Sequence, residues 1–322
     1  MIIVNYKIFF EIYIFIINMD LLKTTKQLCH LYDIKPARSR GQNFLIKEEV
    51  YDKIIKAADL KKDDIILEVG PGLGFLTTRL AKIVKKVVAV ELDDKLAEVL
   101  RTGLVAQGIK NVEVVNEDIL KIFNFQFSIF NEIQNPKSKT NKYKIVANLP
   151  YNITSIFLRK FLSGENKPGM MILMLQREVA ERITARPHKM SLLAVSVQFY
   201  SRPEIIDIIP ANCFWPKPEV DSAIIKLRIK NLELRIHPVK SRQAEILPEA
   251  KLSHGVNETD FFRLVKIGFS AKRKMLKNNL AAGFHITPEE AEKKVKKAGF
   301  NPKIRAQELS VEDWAKLFGE FI

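Results

Sequence analysis

The sequence predicts an α/β protein in which strands and helices alternate through roughly the first two thirds of the chain, followed by a smaller α-helical domain. Three observations carry this. The run from Asp64 to Gly70 is short, apolar and ends in glycine; Gly74 to Lys82 has helical character, and Val87 to Glu91 is a second apolar run with an acid at its tip, which together make a β-α-β opening. A further strand at Tyr143 to Ala147 leads into Asn148-Leu149-Pro150-Tyr151. Near residue 230 the strand pattern stops and apolar residues recur at helical spacing to the end.

At the N-terminus, residues 1–18 differ from the rest: Ile8 to Ile17 is almost continuously apolar but contains Glu11 and follows Lys7. That run is shorter than the roughly 20 residues a membrane-spanning helix needs. No small-residue cleavage site follows it, so a secretory signal is not expected either. Translation is expected to begin at Met19, with 1–18 a non-native or disordered extension. After the β-α-β opening come a helix over Asp94 to Ala106, a strand at Val112 to Val115 ending near Asp118, and the strand into Asn148. Between about 125 and 142 periodicity fades into a polar, basic stretch, expected to be a surface insertion. Further strands are predicted at Met170 to Leu175, Glu204 to Ile209 and Ser222 to Ile229, with helices at Ser155 to Phe161, Arg177 to Thr184 and Leu192 to Phe199. The tail predicts helices at Thr259 to Phe269, Arg273 to Ala282, Pro288 to Ala298 and Val311 to Phe321. The expected domains are therefore 19–232 and 233–322.

Composition narrows the partners. The 322 residues are 47% apolar, enough for a sizeable core. A formal charge of +15 favours a polyanionic partner. Residues 251–305 hold 13 Lys and Arg against 5 Asp and Glu, so the excess concentrates in the helical tail. Only Cys29 and Cys213 are present, far apart, which supports neither a disulfide framework nor a zinc site and fits a reducing, cytoplasmic location. The five histidines show no ligand spacing, so no metal centre is expected.

In an open α/β sheet ligands bind at the C-terminal ends of the strands, so Glu68, Gly70, Glu91, Asp118 and Asn148 are predicted to converge. Asn148-Leu149-Pro150-Tyr151 points to methylation of an exocyclic amine. Such a nitrogen has its lone pair delocalised into the ring, so an enzyme must accept hydrogen bonds from its N–H groups. Asn148 and a carbonyl beside Pro150 can accept, proline contributing no competing N–H, and Tyr151 offers a ring for stacking. In Glu68-Val-Gly70-Pro-Gly72-Leu-Gly74 the glycines let a ligand approach the backbone. A dinucleotide fingerprint would need its third glycine at 75, which is Phe75. Read from the residues alone, Asp118 is either a ligand acceptor or a cap, and Phe214 either a base-facing ring or a core aromatic before a proline-rich loop.

With these pieces, the chain is similar to the ribosomal RNA adenine N6-dimethyltransferases of the bacterial KsgA (RsmA) type, from about Lys35 to the C-terminus. The motifs carrying the likeness are Gly41-Gln42-Asn43-Phe44-Leu45, the Glu68 to Gly74 turn, Glu91, Glu117-Asp118-Ile-Leu, Asn148 to Tyr151, Phe214-Trp-Pro216-Lys-Pro218-Glu-Val220-Asp-Ser222 and Phe269-Ser-Ala-Lys-Arg273-Lys274. The resemblance implies a Rossmann-like S-adenosylmethionine-dependent methyltransferase domain with a basic, RNA-binding helical domain behind it. It places Gln42, Asn43 and Leu45 against the methionine end of S-adenosylmethionine, Gly70 and Glu91 along its middle, and Asp118 and Asn148 at its remaining contacts, with Glu68 and Gly72 also among the cofactor-binding residues. Asn148, Leu149 and Pro150 would grip the target amine, and Tyr151 and Phe214 would face a flipped adenine. The stretch from Asn301 to Trp314 resembles the tail of the small-subunit enzymes, which implies 16S rRNA as partner and a monomeric, cytoplasmic enzyme without a membrane role. The rival readings are a 23S rRNA methylase of the antibiotic-resistance type, a non-catalytic ribosome assembly factor, and an NAD(P)-dependent oxidoreductase.

Overall fold

The computed structural model describes residues 20–36, 41–122, 143–164, 166–230 and 257–322. The expected extension 1–18, the insertion at about 125–142 and the boundary at 232 lie outside the described residues. Two compact units emerge: Pro203–Ile229 joins the chain up to Ala180 in the first, and Glu181–Arg202 groups with Lys230–Ile322 in the second.

The first unit is built on a seven-stranded sheet of order β4-β3-β2-β5-β6-β9-β7. Its strands are β2 (Ile65–Val69), β3 (Lys86–Glu91), β4 (Val112–Asn116), β5 (Lys144–Asn148), β6 (Met170–Gln176), β7 (Ser201–Ile209, joining this unit from Pro203) and β9 (Ser222–Ile229). β4, β3, β2, β5 and β6 run parallel, and β9 is antiparallel to β6. Val87, Val88, Ala89, Ile145 and Leu173 are wholly buried. Strands covered on both faces need no polar alternation, which is why they read as unbroken Val and Ile runs. From β2 the chain steps outward to β3 and β4, then returns to β5 on the other side of β2. The sheet order therefore reverses between β2 and β5, and a crevice opens above their C-terminal ends.

Helices α3 (Phe75–Ala81), α4 (Asp94–Ala106), α5 (Thr154–Ser163) and α6 (Arg177–Ile183) lie close to their expected bounds. Two helices were not anticipated, α1 (Leu21–Leu31) and α2 (Glu48–Ala58), nor was the two-stranded pair of β1 (Phe44–Leu45) and β8 (Phe214–Trp215). α2 carries Glu48 and Glu49 in its first turn and buries Val50, Tyr51, Ile54, Ala57 and Ala58, a helical stripe. Its C-terminal carbonyls are taken by two lysines from the sheet. Lys144 Nζ donates to Asp59 O at 2.6 Å and to the Asp64 carboxylate at 2.7 Å, and Lys226 Nζ donates to Ala57 O at 2.7 Å. The Lys144–Asp64 pair is buried, Asp64 being 4% exposed. Lys144→Ala is expected to destabilise the unit by about 3 kcal/mol, because a buried carboxylate and a helix end lose their cation together. Thermal unfolding checks this, and an unchanged Tm would contradict it.

The second unit is helical: α7 (Leu192–Tyr200), α8 (Glu258–Gly268), α9 (Leu276–Phe284), α10 (Pro288–Lys297) and α11 (Val311–Phe321). α7 packs on α8 and α11. Phe199 meets Phe261 with ring centroids 4.7 Å apart and Phe262 at 5.1 Å, so aromatic edges and faces join the middle of the chain to its tail. The expected helix from Arg273 instead starts at Leu276, because Asn279 Nδ2 holds the Gly268 and Ala271 carbonyls and Leu276 N–H donates to Ile304 O. These contacts fix a turn over Ser270 to Lys274. α10 opens on a capping box in which Thr287 and Glu290 satisfy each other's backbone N–H groups.

Candidate active site

The glycine turn follows β2 directly. Gly70, Gly72 and Gly74 all have left-handed φ values of 67°, 57° and 85°, which side chains with a Cβ adopt only with strain. A Cβ on Gly74 would stand 2.6 Å from Leu100 Cδ1, so the turn lies directly on α4. Its shape is held by Glu91 at the tip of β3: Gly72 N–H donates to Glu91 Oε2 and Asp93 N–H to Oε1, both at 3.0 Å. Burial raises the Glu91 pKa, with the two backbone donors opposing it.

Glu68 is 1% exposed, one residue from the end of β2. Its Oε2 is buried with no hydrogen-bond partner in the protein. Burial pushes its carboxyl up to about 8, the Glu91 charge adds to the rise, and the Thr77 hydroxyl pulls the other way. A buried, unsatisfied carboxylate oxygen on the wall of a cleft calls for a ligand that brings a donor or a positive charge.

β5 supplies the other wall. Gly70 and Asn148 lie side by side across the β2–β5 pair, a Cβ on Gly70 falling 3.6 Å from Asn148 O. Asn148 Nδ2 donates to Asn43 O at 3.5 Å, an orientation that reserves Oδ1 as an acceptor. Leu149 is buried, and its N–H donates to Met174 O, extending the strand pairing by one step. The Pro150 carbonyl accepts from Ile153 N–H at 3.2 Å, which uses one of its two lone pairs. Tyr151 opens the 3₁₀ turn Tyr151–Ile153 and is half-buried.

A strap from Gly41 to Leu45 runs over this edge and ends in β1. Gln42 Nε2 donates to Asp93 Oδ2 at 3.2 Å, and Leu45 O accepts from Tyr51 Oη at 2.9 Å. Gln42, Asn43 and Leu45 therefore line the same cleft as Glu68, Gly70 and Gly72. Glu91, Asn148 and Pro150 line it too.

Four expected site residues are not on the cleft wall: Leu149 and Tyr151, which follow Asn148 out of β5, and Phe214 and Asp118. Phe214 is 3% exposed and packed in the core, paired through β8 with Leu45 of β1, so a base-facing role requires its ring to leave that packing. Its apolar body gains more from burial than from standing at the rim. Asp118 caps its own turn at the end of β4, Oδ1 accepting from Leu120 N–H at 2.9 Å, and is not part of the cleft wall.

Sequence reasoning missed Asp93, Tyr51 and Met174, which also line the cleft. Asp93 carried a local signal, an acid ahead of a helix: its Oδ1 caps α4 through Lys95 and Leu96 N–H. Nothing local shows that its second oxygen holds Gln42.

Residues 35–241 match the ribosomal RNA adenine dimethylase family. A protein of Dehalococcoides mccartyi (strain CBDB1) named ribosomal RNA small subunit methyltransferase A is 40% identical over 94% of each chain. One of the same name from Clostridioides difficile (strain 630) is 36% identical over 91% of this chain and 93% of its own. Among solved structures, a dimethyladenosine transferase from Plasmodium falciparum aligns with TM-score 0.63 at 25% identity, covering 84% of this chain and 94% of that one. The 23S rRNA methyltransferase ErmE aligns with TM-score 0.61 at 26% identity, over 87% of this chain and 99% of its own. A glycine turn, an unsatisfied buried acid and an amide acceptor gathered at one switch point, together with these matches, place the chain in the ribosomal RNA adenine dimethylase family.

Proposed function

We propose that this enzyme uses S-adenosylmethionine to dimethylate N6 of adenosines in 16S rRNA of the small ribosomal subunit, two adjacent ones near the 3′ end, as a cytoplasmic monomer. The observation that carries the reading is the placement of Asn148 beside Gly70 across the β2–β5 reversal, in the cleft that the unsatisfied Glu68 also lines. Relatives matched over more than nine tenths of both chains, at 36–40% identity, are named as small-subunit enzymes.

The residues fit that cofactor. Its sulfonium and ammonium groups match the orphaned Glu68 oxygen, and the Glu91 carboxylate at the tip of β3 suits ribose hydroxyls. When bound it supplies an electrophilic methyl. The protein supplies position and desolvation. Asn148 Oδ1 and a carbonyl beside Pro150 accept from the N6 hydrogens, favouring a pyramidal nitrogen with a usable lone pair. After transfer the nitrogen is cationic and acidic, so water takes its proton and no histidine base is needed. The target base leaves its stack at a cost of a few kcal/mol, which stacking on Tyr151 returns. Lys272, Arg273 and Lys274 are exposed in the helical unit and would hold phosphates. Among the described residues no helix is long and apolar enough to cross a membrane.

The test is incubation with labelled S-adenosylmethionine and undermethylated small subunits, followed by mapping of modified adenines. Dimethyladenosine in 16S rRNA is the expected outcome. Label confined to 23S rRNA would overturn the substrate.

A further inference from the structure

The Tyr151 and Ser222 hydroxyls lie 2.8 Å apart, and either can donate. Tyr151 follows β5, whereas Ser222 opens β9, and β6 lies between these strands. The tyrosine therefore reaches over the tip of β6, bridging strands about 10 Å apart. Its anchor is fixed. Ser222 is fully buried and pairs with Gln176 at the end of β6. Beside it, Asp221 accepts Ala211 N–H on Oδ1 and Arg177 N–H on its carbonyl, both at 3.0 Å. The first of these bonds also closes the base of the loop that carries Phe214 and Trp215.

Stacking does not explain the hydroxyl. A phenylalanine offers the same π face, and burial raises the Tyr151 pKa, so the phenol stays neutral and acts only through hydrogen bonding. An untethered ring samples several staggered rotamers, and a base docking on it must bear the cost of ordering it. A ring already held at its far end bears none.

We propose that Ser222 is a positioning residue for methyl transfer, its hydroxyl pinning Tyr151 so that the ring stands ready as the platform for the target base. This rests on the reading that Tyr151 stacks on the adenine. Acting through Tyr151, Ser222 touches neither the base nor the methyl donor.

The experiment compares Tyr151→Phe, Ser222→Ala, the double variant and Tyr151→Ala on undermethylated small subunits, measuring kcat, KM for the subunit, cofactor Kd and Tm. Tyr151→Phe and Ser222→Ala are each expected to lower kcat/KM about fivefold to tenfold, the scale of one hydrogen bond, with cofactor Kd unchanged. The double variant should be no worse than either single one, because both remove the same bond. Effects that multiply, or a Tyr151→Phe enzyme at full rate, would overturn the tether, as would a Ser222→Ala enzyme that loses only Tm. Tyr151→Ala separates the two ideas. If it retains activity, the stacking reading itself fails; if it is inactive while Tyr151→Phe is unimpaired, stacking stands and the tether alone falls.

Discussion

Asn148→Ala is expected to lower kcat by about 10²–10³-fold, the scale for removing one preorganised hydrogen-bonding partner of a transition state, while leaving cofactor binding largely intact. The asymmetry arises from where the side chain points its groups. Its Nδ2 is committed to Asn43 O, and the Oδ1 that remains faces a demand arising only when an amine must become pyramidal. On the proposed reading, ground-state binding of the methyl donor would draw mainly on the glycine turn, Glu91 and Glu68. Calorimetric titration of the variant with S-adenosylhomocysteine, beside single-turnover methylation, separates these terms. Unchanged turnover would remove Asn148 from the chemistry.

Glu68→Gln is expected to stabilise the free protein at neutral and alkaline pH and to weaken cofactor binding at least about tenfold. A free glutamate titrates near 4.3, whereas Glu68 in the fold is pushed up to about 8 by burial. The folded state thus holds this proton more tightly than the unfolded one. Its contribution to stability is complete below the unfolded value and is lost as pH rises through about 8, a total on the order of a few kcal/mol. The wild-type protein should lose Tm between pH 5 and 8.5, and the glutamine variant should lose less; parallel curves would show that Glu68 is ionised at no unusual cost. The ligand end of the argument has the opposite sign. A cation beside Oε2 favours the carboxylate, so wild-type affinity should rise toward pH 8 more steeply than that of the variant. The ligand's own titration is common to both proteins, and the difference isolates Glu68.

Much of the sheet and of the cleft was legible in the sequence, because both are written in local patterns. β2, β3, β5 and β6 are buried on both faces, so each reads as a continuous apolar run, and the polar residue closing each run lands on one edge. The α/β sheet with a helical domain after it and the membership of the adenine dimethylases both held. Helix α1 escaped because two positions of its buried stripe are Thr24 and Thr25, which satisfy the helical spacing without an apolar signal. Helix α2 does carry the apolar spacing, in Val50, Tyr51, Ile54, Ala57 and Ala58, but opens on Lys47 with no side-chain cap to mark its start. Asp93 shows a different limit. Its capping role is local, but the bond to Gln42 joins residues 51 positions apart, and no single-sequence pattern encodes it. Phe214 shows the converse: a motif marks the position, while only packing reveals that its ring is inside.

The passage of residues 181–202 into the helical unit has a genetic corollary. A gene fragment encoding only Lys230–Ile322 would deliver Phe261 and Phe262 without Phe199, and so without part of the aromatic cluster they share. The tail is therefore no cassette. A chimaera that keeps this cluster intact has to carry residues 181–202 along with the tail.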